Sequence, residues 1–170
     1  MYLLNPPVTE PEILTVNEIP TVVAVFDNHP MNDMPAAFDQ TYQVLFPTLG
    51  AKGIAPIGPG FALYTSEPTD TVSFEVGIPV SQPLEGDVSA ANGIVLKNSV
   101  VPAGKIARIS HIGSFDGLSQ AWGSFVEALE SAGHEIDMPC WEVYVTEPSP
   151  DMDPATLQTD LYVLLKYSSF

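Results

Sequence analysis

Basic residues are scarce. Five Lys and Arg against 21 Asp and Glu leave a formal net charge of −16 over 170 residues, and such a surface repels phosphate backbones, which argues against direct nucleic-acid binding. A salt-rich or acid-biased host selects the same composition, so charge alone names no partner. Cysteine is nearly absent. Cys140 stands alone, which rules out an internal disulfide and suits a reducing cytoplasm. No stretch of about 18 apolar residues occurs and no basic segment leads into an apolar run, so neither a membrane span nor secretion is expected. Metal-ligand spacing is missing too: His29, His111 and His134 form no His-x-x-x-His pair, and one cysteine makes no zinc site. No metal and no cofactor are expected. Ser114 sits in GSFDG rather than in a Gly-x-Ser-x-Gly elbow, where helix capping accounts for it.

What the chain does have is apolar residues, 45% of the total, and an internal repeat. WEVYVTEP at Trp141 to Pro148 has a weaker copy, FALYTSEP, at Phe61 to Pro68, displaced by 80 residues, so that Tyr64 matches Tyr144 and Glu67–Pro68 match Glu147–Pro148. The same displacement carries Phe38 onto Leu118, Tyr42 onto Trp122, Leu49 onto Leu129 and Gly53 onto Gly133. Around each copy the pattern is a strand, an amphipathic helix and two strands. Thr21 to Phe26, Met34 to Leu49, Phe61 to Thr65 and Thr71 to Val80 make the first unit. Lys105 to Ser110, a helix from Leu118 to Ala132, Cys140 to Thr146 and Thr159 to Lys166 make the second. Asn32 or Asp33 is placed to cap the first helix and Ser114 or Asp116 the second. Residues 1–20, with Pro6, Pro7, Pro11 and Pro20, read as an extended N-terminal arm holding at most a short strand from Ile13 to Val16. Residues 81–104 read as a linker, and residues 21–170 as one domain of two repeats, about 21–80 and 105–167.

The fold class is therefore α+β: duplicated β-α-β-β units forming a pseudo-twofold antiparallel sheet, with both helices on one face and a ligand cleft on the other. On this reading Phe61, Leu63, Trp141 and Val143 face the helices. Ala62, Tyr64, Glu142 and Tyr144 face the cleft. The fold does not demand a carboxylate at Glu142, because its counterpart is Ala62. A carboxylate in an apolar strand is costly to bury alone, so Glu142 is exposed, paired or placed for a ligand.

With these residues in hand, the chain resembles the GyrI-like small-molecule-binding family, the effector-binding domain of AraC-type and multidrug-responsive MerR-type regulators. HIGSFDGLSQAW at His111 to Trp122 is similar to the family's strand-end Gly, small residue, aromatic and helix-starting Leu. WEVYVTEP is similar to its Glu-x-Tyr strand and acidic-Pro turn. The resemblance covers about Thr21 to Lys166 and implies a carboxylate, here Glu142, at the floor of an aromatic pocket that attracts cationic ligands. It also implies a second activity, because some stand-alone members use the matching Glu to hydrolyse reactive cyclopropane-bearing toxins. Residues 1–20 leave no room for a helix-turn-helix, so a stand-alone bacterial member is expected rather than a transcription factor.

The candidate ligand residues are Glu142, Tyr144, Tyr64, Ala62, Phe74 and Tyr162. The tyrosines offer ring faces for stacking or for a cation, and Phe74 and Tyr162 stand on the two closing strands. Glu142 becomes the catalytic residue if the chain is an enzyme. Trp122 and Phe125 read as helix core, and the three histidines as structural. The leading function is binding of a hydrophobic, aromatic and, given the carboxylate, cationic small molecule. Hydrolysis of reactive xenobiotics at Glu142 is the alternative. A further one is an acidic protein that sequesters a DNA-binding partner or an enzyme such as gyrase. The oligomeric state has no signature in the sequence.

Overall fold

Stretches rich in β-branched and aromatic residues form strands, and apolar residues recurring at three- and four-residue steps form the two helices. The computed structural model describes residues 2–146 and 151–166; the Glu147–Pro148 turn of the repeated motif and Tyr167 lie outside them. In chain order the elements are β1 (Glu12–Val16), β2 (Ile19–Pro30), α1 (Met34–Ala51), β3 (Phe61–Tyr64), β4 (Thr71–Pro79), β5 (Val88–Ser89), β6 (Val95–Val101), β7 (Gly104–Ile112), α2 (Leu118–Ser131), β8 (Ile136–Tyr144) and β9 (Gln158–Leu165). No helix among the described residues is long and apolar enough to cross a membrane.

Contacts divide the chain into a first unit, Glu18–Pro102, and a second, Met1–Asn17 with Ala103–Phe170. Strands of the first lie in the order β3-β4-β2-β6-β5 and those of the second in the order β1-β7-β9-β8. Each of these pairings is antiparallel. Within them, β2-α1-β3-β4 and β7-α2-β8-β9 follow one course, the last strand of each lying between the other two. The duplication read from the sequence is thus a duplication of topology, and the α+β class holds.

Two segments read as accessory are strands. The expected N-terminal arm supplies β1, which pairs with β7 from Glu12↔Arg108 to Val16↔Gly104. The expected linker supplies β6, which pairs with β2 from Ile19↔Val101 to Ala24↔Leu96. Lys97, Asn98 and Ser99 interrupt the apolar signal of β6, yet Leu84, Ile94, Leu96 and Val101 are all buried. The Asn98 side chain accepts from the Leu84 amide at 2.8 Å and donates to the Leu84 carbonyl at 2.9 Å. One polar side chain thereby does what a strand partner does elsewhere.

The facing of the repeated strands is the reverse of the expectation. Phe125 and Leu129 of α2 pack with Ala107, Leu161, Val163 and Leu165, and Leu161 pairs with Glu142. Cross-strand partners share a face. Glu142 and Tyr144 therefore point toward α2, and Trp141 and Val143 point away. The first unit agrees: Met34 and Ala37 of α1 pack with Phe74 and Val76, which pair with Tyr64 and Ala62. Alternation sorts a strand into two sets but does not say which set the helix covers.

Helix entry also differs from the capping expectation. Asp33 and Gly117 hold the N-cap positions, and neither makes a side-chain capping bond. A 3-10 turn precedes each helix instead, at Met31–Asp33 and Phe115–Gly117. The Met34 and Leu118 amides donate to Met31 and Phe115 carbonyls, so turn and helix run on without a break.

Candidate functional site

Strand β8 presents Cys140, Glu142 and Tyr144 in alternation toward α2, and α2 answers with Trp122. The indole Nε1–H of Trp122 donates to Glu142 Oε1 at 2.6 Å, and the Tyr144 hydroxyl donates to Oε2 at 2.8 Å. Glu142 is only 7% exposed. Both donors are neutral side chains, and between them they fix the orientation of the carboxylate. The ring of Phe115, from the turn before α2, meets Tyr144 edge-on with centroids 6.0 Å apart. A hydrogen bond of 3.0 Å between His111 Nε2 and the Ser114 carbonyl steadies that turn. Phe115 itself is 42% exposed, so the aromatic wall beside Glu142 has a solvent-facing edge.

The charge acts on its neighbour. Burial, and after it the Glu142 carboxylate, push the Cys140 thiol up to about 12. Both disfavour a thiolate. Cys140 is accordingly a neutral packing residue.

The first unit shows what the repeat does without the carboxylate. Ala62 is fully buried, and Tyr42, the counterpart of Trp122, donates its hydroxyl to the Gly77 carbonyl at 3.1 Å. Burial raises the Tyr42 hydroxyl above its ordinary range. Tyr64 lies 6.3 Å from Phe74, centroid to centroid, and Phe26 stacks on Phe74 at 5.1 Å. A β-bulge between Phe26 and His29 brings the His29 ring edge-on to Phe26 and Phe74. Tyr64 and Phe74 thus belong to one aromatic cluster on the helix face of their own unit.

Of the expected site residues, Glu142 and Tyr144 are in direct contact. Tyr162 is not with them. It pairs with Trp141 and lies on the face turned away from α2. Trp122, expected in the helix core, does pack against that core and in addition makes the shorter contact to Glu142 through its N–H; Phe115 is not among the expected site residues. A signal for Trp122 was present: an indole N–H on an apolar stripe needs an acceptor, and Tyr42 becomes Trp122 across the same repeat in which Ala62 becomes Glu142.

Two surface cavities, about 460 and 350 Å³, are lined by residues 7–12 and by Ala24–Asp27 with Gly93–Val95 and Lys97. Neither is lined by Glu142. Among the described residues no group of three His, Cys, Asp or Glu is placed to hold a metal ion.

Residues 9–166 match the family model of the GyrI-like small molecule binding domain. The chain belongs to this family. No curated protein matches the sequence. Among solved structures, the GyrI-like chain is similar to EcmrR in a complex with DNA, with a TM-score of 0.71 and 16% identity over 94% of this chain. It spans 58% of the EcmrR chain. A hydrolase from Listeria innocua superposes with a TM-score of 0.65 and 14% identity, covering 95% of this chain and 94% of that one. SAV2435 bound to tetraphenylphosphonium gives 0.61 and 10%, covering 93% and 94%. At these identities the likeness to each is one of fold. As a GyrI-like domain, the chain is of a small-molecule-binding kind.

Proposed function

We propose that the chain binds a hydrophobic aromatic cation, with the Glu142 carboxylate as its counter-charge. One observation carries this reading: Glu142 is buried, and its two oxygens are held at 2.6 and 2.8 Å by the neutral donors Trp122 and Tyr144. A buried carboxylate held in a fixed orientation attracts a cation, and aromatic rings beside it favour one whose charge is spread over an apolar body. Phe115 is the exposed edge past which such a ligand enters. Support comes from SAV2435, a protein of the same fold bound to the lipophilic cation tetraphenylphosphonium. Calorimetric titration with tetraphenylphosphonium is the test. Glu142→Gln keeps the shape and removes the charge, and weakens binding by about 1 to 3 kcal/mol. Equal affinity in the two proteins sinks the proposal.

A second reading, hydrolysis of a reactive xenobiotic, draws on the Tyr144 hydroxyl standing 2.8 Å from the Glu142 carboxylate. In it Glu142 takes a proton from water, and the Tyr144 hydroxyl, released by the carboxyl once that is neutralised, turns to donate to the developing oxyanion. Turnover of a strained electrophile by wild type but not by Glu142→Gln supports it; equal turnover overturns it.

A further inference from the structure

Glu142 is buried and lines neither surface cavity, so a bulky cation reaches it only when part of the aromatic wall gives way. Trp122 packs with the core beneath α2 and Tyr144 stands on β8. Phe115 is the exposed member of the wall, and it rides on a short turn, GSFDG at Gly113 to Gly117. His111, Thr159 and Tyr144 stand in one row across β7, β9 and β8, each the register partner of the next, and the turn is fastened at both ends of that row. At one end its Phe115 ring meets Tyr144. At the other, His111 Nε2 lies 3.0 Å from the Ser114 carbonyl; a carbonyl only accepts, so this nitrogen carries the proton and donates. The ring lies close against the turn, since a Cβ at Gly117 would stand 3.0 Å from His111 Cε1. The Gly113 amide anchors the start of the turn to the Leu157 carbonyl at 2.8 Å. His111 anchors its middle.

We propose that His111 is a positioning residue for the Glu142 site: by pinning the turn it holds Phe115 across the approach to the carboxylate, and so sets how wide a cation the site accepts. This inference rests on the cation-binding reading above. His111 acts through Phe115 and needs no contact with the ligand. A ligand that binds only when the turn has swung aside has its apparent affinity reduced by the fraction of molecules in which it is aside. One hydrogen bond shifts such a fraction several-fold. The penalty grows with the width of the ligand, because a wider body needs the turn moved further.

Tetraphenylphosphonium is the wide probe and tetramethylammonium the narrow one. His111→Leu keeps bulk against the turn but removes the donor; it is expected to tighten tetraphenylphosphonium by about three- to tenfold and tetramethylammonium by less. His111→Gln, whose amide restores an N–H donor, returns the ratio of the two affinities toward that of the wild type. In a Phe115→Ala background His111→Leu has no further effect, because the ring it positions is gone. Gly117→Ala reaches the same pin by another route. Gly117 has φ −86° and ψ −4°, which any residue adopts, so the added methyl leaves the helix entry intact while pushing the His111 ring off the turn, and it tightens tetraphenylphosphonium in the same direction. Acrylamide quenching needs no ligand. Of the two tryptophans, Trp141 is fully buried, so quenching reports Trp122, and it is expected to rise in His111→Leu and Gly117→Ala but not in His111→Gln. Equal tetraphenylphosphonium affinity in wild type and Glu142→Gln ends the cation reading, and quenching then decides the role of His111 alone. The proposal is overturned if quenching is the same in wild type, His111→Leu and Gly117→Ala. It is equally overturned if both cations gain alike, or if the His111→Leu effect persists without Phe115.

Discussion

The Glu142 carboxylate costs the fold something, and Trp122 and Tyr144 offset part of that cost. Hydrogen bonds to a charged group contribute about 1.5 to 3 kcal/mol, so Trp122→Phe, which keeps a ring but loses the indole donor, is expected to lower stability by about that amount. The same change in a Glu142→Leu background costs less, because no carboxylate is left unmatched; chemical denaturation of the four proteins measures the difference as a coupling energy. Glu142→Gln alone is expected to leave folding intact or to raise the midpoint slightly, since it relieves a buried charge. Cys140 reports on the same charge. Its thiol is pushed up to about 12 by burial and by Glu142, against about 8.5 in an unfolded chain. Because the folded value is the higher one, this contribution to stability is present in full below the unfolded value and is lost as pH climbs toward 12. Iodoacetamide at pH 8.5 should therefore label Cys140 slowly in native protein and rapidly in denaturant. Equal rates would mean that the thiol is neither buried nor influenced by the carboxylate.

At the level of elements, each repeat is a sheet with one helix on it, and what the sequence discloses follows from that division. Helix stripes such as Leu118, Phe125 and Leu129 are legible because their period admits one reading, and the 80-residue displacement ties the strands of one repeat to those of the other. The side of the sheet on which α2 lands was not legible. Trp141 and Val143 are the more apolar set, yet the helix covers Glu142 and Tyr144, because β9 contributes Leu161 and Val163 to the same face. Strand β6 was hidden by Lys97, Asn98 and Ser99, whose polar side chains say nothing about the backbone pairing that holds them. The Trp122 contact to Glu142 needed the helix position before it could be seen. Close approach between β2 and β4 gives an element-scale prediction. A Cβ at Gly77 would stand 2.1 Å from the Val22 carbonyl oxygen and 2.9 Å from the Val23 Cα, backbone atoms that cannot move aside without parting the strands. Gly77→Ala should cost about 3 kcal/mol or more, the upper range for overpacking, and a thermal midpoint within a degree or two of wild type would show that β2 and β4 are not so close.

For the molecule as a whole the governing quantity is charge. The chain carries 21 acidic against 5 basic side chains, and among its few cations Arg108 is bonded to Glu12 and Asp160 while Lys97 faces Asp87 at 3.8 Å. Like charges crowded on a folded surface repel one another more than they do on an expanded chain, so net charge of this size weakens the compact state, and added salt screens the repulsion. The thermal midpoint at pH 7 should therefore rise between 10 and 500 mM sodium chloride, the reverse of what a fold held by surface ion pairs would show. Nonspecific affinity for DNA comes from cations that displace counterions from phosphate, and log affinity falls with log salt in proportion to the number of such contacts. A chain whose field is negative supplies few of them. Titration of fluorescently labelled duplex DNA into this chain at about 150 mM salt, near the physiological ionic strength at which exposed charges are screened beyond some 8 Å, should leave anisotropy unchanged up to high micromolar protein. Saturable binding that weakens with salt would show that a local basic surface overrides the net charge.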